Sequence, residues 1–296
     1  MVGEATTLDL GLEFRLLGPF EVAAHGRVLE IGSAKQRALL AVLVLRLNRV
    51  VALDALAEEL WRREPPPSVT KTVQSLVYRL RRAFAAASAE AAGVRLRARG
   101  AGYVLEADRL QVDALRFEHL AARGRELALA GATDAAGRAL EDALSLWRGP
   151  ALADLLDLDL ARAEATRLDE ARLAAVEELA EVELARPRPE KAVQLLEPHV
   201  AANPLRERAW AQLMLALYRT GRQADALRAF QRLRTFLAEE LGLEPGRSLR
   251  ELEQAILRQD RGLELAPQIE SAAPALPSSP KRRAGLRLPA AATSSV

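Results

Sequence analysis

Residues 68–103, SVTKTVQSLVYRLRRAFAAASAEAAGVRLRARGAGY, decide how this chain is read. At about 100° per residue, Val73, Leu76, Val77, Leu80 and Phe84 fall in one apolar sector, the pattern of a helix packed on a core. The opposite side carries Lys71, Ser75, Tyr78 and Arg82, flanked by Thr72 and Arg79, and no acid stands between Lys71 and Arg82. Cations mixed with hydroxyl and aromatic groups can neutralise phosphates and touch base edges in a groove wide enough to admit a helix. A merely solvated face would interleave acids with bases. The period then changes. VRLRARGAGYVLEA (94–107) alternates, so Arg95, Arg97 and Arg99 share one face of a strand, and Gly100 and Gly102 permit the backbone angles of a tight turn.

Upstream, LEFRLLGPFEVAAHGRVLEI (12–31) alternates apolar and polar residues around Gly-Pro and His-Gly, which predicts two or three short strands. From Ser33, an N-cap candidate, SAKQRALLAVLVLRLN carries an apolar stripe through Leu39, Leu40, Leu43 and Leu47, a first helix. Val50 and Val51 form a brief extended link. LDALAEELW (53–61) is a second helix, which the prolines 65–67 terminate because proline lacks the amide donor. The third helix begins near Ser68 or Val69. Three helices between a leading sheet and a trailing hairpin make a winged helix, with the proline-rich 62–67 in place of a tight turn.

Charge is segregated. Residues 12–105 contain 15 Lys and Arg against 8 Asp and Glu, a formal +7, whereas residues 106–265 contain 23 against 29, a formal −6. Within 71–99 there are seven cations and one acid, Glu90, the footprint expected where a polyanion docks. Half of the 296 residues are apolar and only 4% aromatic, which suits two mainly helical domains. The absence of Cys excludes disulfides, Cys-ligated zinc and thiol catalysis. No secretory signal and no run of about 18 uncharged apolar residues occurs, so the expectation is a cytoplasmic, nucleoid-associated protein without membrane contact.

Residues 110–260 read as almost continuous helix, broken at Gly131, Gly149-Pro150, Pro187–Pro189, Pro198, Asn203-Pro204, Gly221 and Gly242–Gly246. A 34-residue repeat runs through them: Val176, Leu179, Arg188, Ala192 and Leu196 recur as Trp210, Leu213, Arg222, Ala226 and Phe230. This large-small-large pattern of helix pairs resembles tetratricopeptide repeats, in which stacked pairs bury one another's apolar faces.

The order of leading sheet, KQRALLAVLVL, LAEELW, TVQSLVYRLRRAF and RGAGYVL resembles the OmpR/PhoB-type winged-helix domain. That resemblance implies that Thr72, Ser75, Tyr78, Arg79 and Arg82 face DNA, that Arg97 and Arg99 lie on the wing near the minor groove, and that Trp61 approaches the backbone. Helix positions often basic in that family are here Leu76 and Tyr78, so its base preference is not carried over. The break at Trp147-Arg148-Gly149-Pro150 and the ending FLAEELGLEPGRSLRELEQAIL (236–257) resemble the bacterial transcriptional activator domain of the Streptomyces antibiotic regulatory protein family. The implied organisation is a flexible N-terminus (1–11), a winged helix (12–108), a tetratricopeptide-like helical domain (109–262) and a disordered tail (263–296). The implied function is sequence-specific binding to direct repeats in double-stranded promoter DNA, as a homodimer on DNA, with recruitment of RNA polymerase holoenzyme to activate a biosynthetic gene cluster. Neither a receiver domain nor a nucleotide-binding domain is expected to control it.

Beyond Leu265 the chain is rich in Pro, Ser and Ala, and Lys281-Arg282-Arg283 with Arg287 read as a solvated cluster. An enzyme is disfavoured: no phosphate loop, HExxH or GxSxG occurs, and His25, His119 and His199 lie far apart in sequence. No cofactor is expected. Nor is a metal, because the acidic run ADLLDLDLARAE (153–164) lacks the glycine and terminal glutamate of a calcium loop. The remaining alternative is a helical-repeat adaptor whose winged helix contacts protein.

Overall fold

The alternation over residues 12–28 becomes an antiparallel sheet of β1 (Leu12–Arg15), β2 (Glu21–Ala24) and β3 (Arg27–Val28), with Phe14 opposite Val22. The computed structural model describes residues 11–62, 66–187 and 189–264. Residues 1–10, 63–65, Arg188 and the chain beyond 264, with the basic cluster at 281–287, lie outside the described residues, as do the flexibility and disorder expected there. Three helices follow: α1 (Ala34–Leu45), α2 (Leu53–Trp61) and α3 (Val69–Ala86). Ser33 does sit at the N-cap of α1, but its backbone carbonyl, not its hydroxyl, receives the Gln36 and Arg37 amides.

Proline does not end α2. The helix stops at Trp61 because Arg62 adopts φ +53°, and its guanidinium donates to the Asp157 carbonyl (2.5 Å) and Asp159 carboxylate (2.9 Å). The link at Val51 is a strand, β4 (Val51–Ala52), which joins the hairpin of β5 (Arg95–Arg99) and β6 (Gly102–Glu106) in the order β4-β6-β5.

The helical part comprises α4 (Asp113–Leu129), α5 (Thr133–Ser145), α6 (Asp159–Leu184), α7 (Glu190–Ala202), α8 (Glu207–Arg219), α9 (Gln223–Leu241) and α10 (Arg247–Leu257). The break expected at Pro198 does not occur, since α7 runs through it. Pro198 and Gln194, whose carbonyl loses its intrahelical donor, are both exposed, so solvent can satisfy the freed carbonyl. The repeat residues do face inward: Leu179, Ala192 and Leu196 are buried like their counterparts Leu213, Ala226 and Phe230. Trp210 is buried and donates its ring N–H to the Pro204 carbonyl (3.0 Å), while its counterpart Val176 is only half-buried.

One apolar core runs from Leu12 through α1, α3, β6 and Phe117 to Trp147 and Ala175, so β1, β2, β4 to β6 and α1 to α6 pack together, with β3 exposed at the edge; a second covers Ala180 to Ile256. The seam is polar as well. Asp113, the first residue of α4, is 2% exposed and accepts the amides of Leu16 (2.7 Å) and Leu17 (3.1 Å). The Leu17 and Leu16 carbonyls accept the amides of Arg148 (2.8 Å) and Leu152 (2.9 Å). Asp154 takes the Phe20 amide (2.6 Å) and pairs with Arg37.

Burial pushes the Asp113 carboxyl up to about 6 from 3.8, against the pull of the Leu16 and Leu17 amides and of Arg148 toward the carboxylate. Asp113→Ala strands two buried amides, each costing about 1–3 kcal/mol, and should lower the urea midpoint accordingly. Because the folded value lies above the unfolded one, the contribution of Asp113 is complete below about pH 3.8 and declines as pH rises through about 6. The gap between native chain and variant should therefore narrow from about pH 4 to about pH 7, measured as paired urea titrations.

Candidate nucleic-acid interface

The apolar sector of α3, Val73, Leu76, Val77, Leu80 and Phe84, is buried, with Phe84 edge-on to Phe14 at 6.3 Å. That fixes the opposite side outward. Lys71, Ser75, Tyr78, Arg79 and Arg82 are exposed, Tyr78 by 62%. Thr72 is half-buried and its hydroxyl donates to the Ser68 carbonyl (3.0 Å), so its polar group serves the helix turn. Among the described residues no carboxylate lies within ion-pair distance of Lys71, Arg79 or Arg82. Among the described residues these three cations are left without an acidic partner, and they point outward.

Two further residues belong to this surface. Gln74 is exposed one turn before Tyr78, a spacing of four that the helical wheel alone could have picked out. Arg81 is exposed and donates through Nε to the Leu96 carbonyl (2.9 Å), tying α3 to β5. Nothing in the sequence announces that bond, because it spans two elements whose approach only the fold decides.

The hairpin pairs Leu96 with Leu105 and Ala98 with Tyr103, burying Leu96 and Tyr103 while Arg95, Arg97 and Arg99 stay exposed. Gly100 turns the chain at φ +54°, as the sequence predicts. Gly102 is different: its φ is not positive, and it is glycine because a Cβ there would run into the Val51 carbonyl oxygen of β4. Trp61, at the end of α2, is half-buried, with Lys35 Nζ 5.7 Å from its ring centre and bonded to the Leu60 carbonyl.

The acidic run 153–164 has structural partners in Phe20, Arg37 and Arg62, and among the described residues no three His, Cys, Asp or Glu gather as metal ligands. No described helix is long and apolar enough to cross a membrane.

Comparison with known proteins matches residues 29–105 to the family described as transcriptional regulatory protein, C terminal, and residues 112–257 to the bacterial transcriptional activator domain. The chain is similar to the transcriptional regulatory protein EmbR of Mycobacterium tuberculosis, 39% identical over 88% of this chain and 66% of that protein. It therefore spans just under two thirds of EmbR. It is also similar to the regulatory protein DnrI of Streptomyces peucetius, 36% identical over 88% of this chain and 98% of that one. The solved structure of Mycobacterium tuberculosis EmbR in complex with a low-affinity phosphopeptide superposes with a TM-score of 0.79 at 39% identity, covering 84% of this chain and 65% of that chain.

Gly102→Ala forces β4 and the wing apart, an overpacking that costs roughly 1–3 kcal/mol. The expected result is faster amide exchange across residues 95–106 with slower change in α8 and α9, whose core is separate. Exchange across residues 95–106 that is unchanged from the native chain in Gly102→Ala would contradict the steric role of Gly102.

Proposed function

The chain belongs to the Streptomyces antibiotic regulatory protein family of transcriptional regulators, and from this premise we propose that it is a sequence-specific DNA-binding activator of a biosynthetic gene cluster. In this reading residues 12–108 bind DNA and residues 109–262 contact RNA polymerase holoenzyme. The observation that carries it is the face of α3, where Lys71, Arg79 and Arg82 are exposed with no carboxylate among the described residues to occupy them. The helix enters the major groove, with Ser75, Tyr78 and Arg79 against base edges and Lys71 and Arg82 toward phosphates. Thr72 adds its methyl group and Gln74 its amide. Arg97 and Arg99 reach the adjacent minor groove, and Trp61 approaches the backbone beside Lys35.

Arg79→Ala should weaken binding to duplexes that the native chain selects from a random pool by about 1–3 kcal/mol and relax the preference at one position. Lys71→Ala should weaken all duplexes alike and flatten the salt slope by about 0.9. Unaltered discrimination in Arg79→Ala would remove α3 as the base-reading element.

Two copies bind head to tail on direct repeats spaced by about one helical turn, which puts both on one side of the duplex. A homodimer forms on DNA and not through a symmetric coiled coil, since no heptad seam runs through the described helices. Inserting roughly five base pairs between half-sites should abolish cooperative binding in gel-shift titrations, and roughly ten should restore part of it. Indifference to the half-turn insertion would leave independent monomers.

A further inference from the structure

The two cationic parts of the winged helix differ in what holds them. On α3, Lys71, Arg79 and Arg82 have no acidic partner among the described residues. On β5 every arginine has one: Arg95 Nε lies 3.2 Å from Glu90 Oε1, Arg97 Nε 3.5 Å from Glu106 Oε2, and Arg99 Nη2 3.6 Å from Glu106 Oε1. Glu90 and Glu106 are the only acids between Lys71 and Glu106, and both stand against the wing. Glu106 closes β6 opposite Arg95, so its side chain shares the face of Arg97 and Arg99, and at 29% exposure it is more enclosed than those two at 50% and 64%.

We propose that Glu106 is a specificity-determining residue that keeps Arg97 and Arg99 occupied until α3 has docked, and so limits binding to non-cognate DNA. The proposal rests on the DNA-binding reading above. Exposed ion pairs of this length are weak and exchange readily, so phosphates brought close by a docked helix can displace the carboxylate. Until then one acid neutralises part of two cations. Arginines already paired also release fewer counterions from the duplex, which lowers the salt dependence of non-specific affinity. Among the described residues the α3 cations carry no such restraint, so first contact falls to the helix that reads bases.

The test uses the full chain with Glu106→Gln, which keeps the shape and removes the charge, and Glu106→Ala as a second variant, both checked for an unchanged melting temperature. Binding to a labelled random-sequence duplex of about 30 base pairs is titrated between about 50 and 200 mM KCl, beside duplexes selected by the native chain. Both variants should bind the random duplex roughly three- to tenfold tighter at the lower salt, with a slope steeper by about 0.9 to 1.8, as if one or two more phosphates were neutralised. Preference for the selected duplex should fall. On an Arg97→Ala, Arg99→Ala background, removing the Glu106 charge should change affinity less than about twofold, since the arginines it restrains are gone. An unchanged slope overturns the proposal, as does an equal gain on the arginine-free background, which would make Glu106 a general surface charge. Weaker binding overturns it too, because Glu106 would then be orienting the arginines for contact. If the native chain itself shows no salt-dependent affinity for duplex, the DNA-binding reading fails, whereas native affinity with unresponsive Glu106 variants removes only this inference.

Discussion

Where the chain leaves β1, the amides of Leu16 and Leu17 are inside the protein and off the sheet, and they need an acceptor. The carboxylate of Asp113 supplies it from the start of α4, nearly a hundred residues later. Much of the architecture depends on that contact. The carbonyls of the same two residues accept the Arg148 and Leu152 amides, so a single two-residue segment joins β1 to both the start of α4 and the loop between α5 and α6. Arg148 then bridges to Glu21 at 2.9 Å, closing the ring back onto β2.

This seam explains how the surface of α3 is held. Phe84 at the base of α3 meets Phe14 edge-on, Phe14 bridges to Val112, and Asp113 follows at once. Phe117, one turn into α4, stands edge-on to Trp147 at 5.4 Å. The exposed face of α3 is therefore connected to the helical array through close-packed aromatic rings and buried backbone hydrogen bonds, an arrangement that resists continuous deformation. Segregated charge reinforces it, since Arg37 and Arg62 of the cationic part are bound by Asp154 and Asp159 of the acidic part. The same segregation leaves α3 without acids of its own.

Much of this was legible in sequence for identifiable reasons. The start of α2 at Leu53, the start of α3 near Ser68, the strands at 12–28 and the hairpin at 94–107 follow from period and turn chemistry, which act within a few residues. The readings that differ are those in which a local rule met a distant partner. Prolines 65–67 promised to stop α2, but Arg62 stops it while binding Asp157 and Asp159. Pro198 promised a break, but it sits on an exposed face where a lost hydrogen bond is cheap. Gly102 looked like a turn glycine and is a contact glycine, because β4 pairs there.

Spacing in the chain already gave the order of elements, which faces are apolar, where positive charge collects, and that Lys71, Ser75, Tyr78, Arg79 and Arg82 share the outward side of one helix. These are properties of neighbours at spacings of two, three and four, and the backbone geometry of helix and strand converts them directly into faces. Which of those charges meet a carboxylate among the described residues was set by the fold. Glu106 against Arg97 and Arg99, Arg81 against Leu96, and Asp113 against Leu16 and Leu17 are pairs set by the approach of elements far apart in the chain. No periodicity encodes such an approach, since it follows from how whole apolar faces fill a common core.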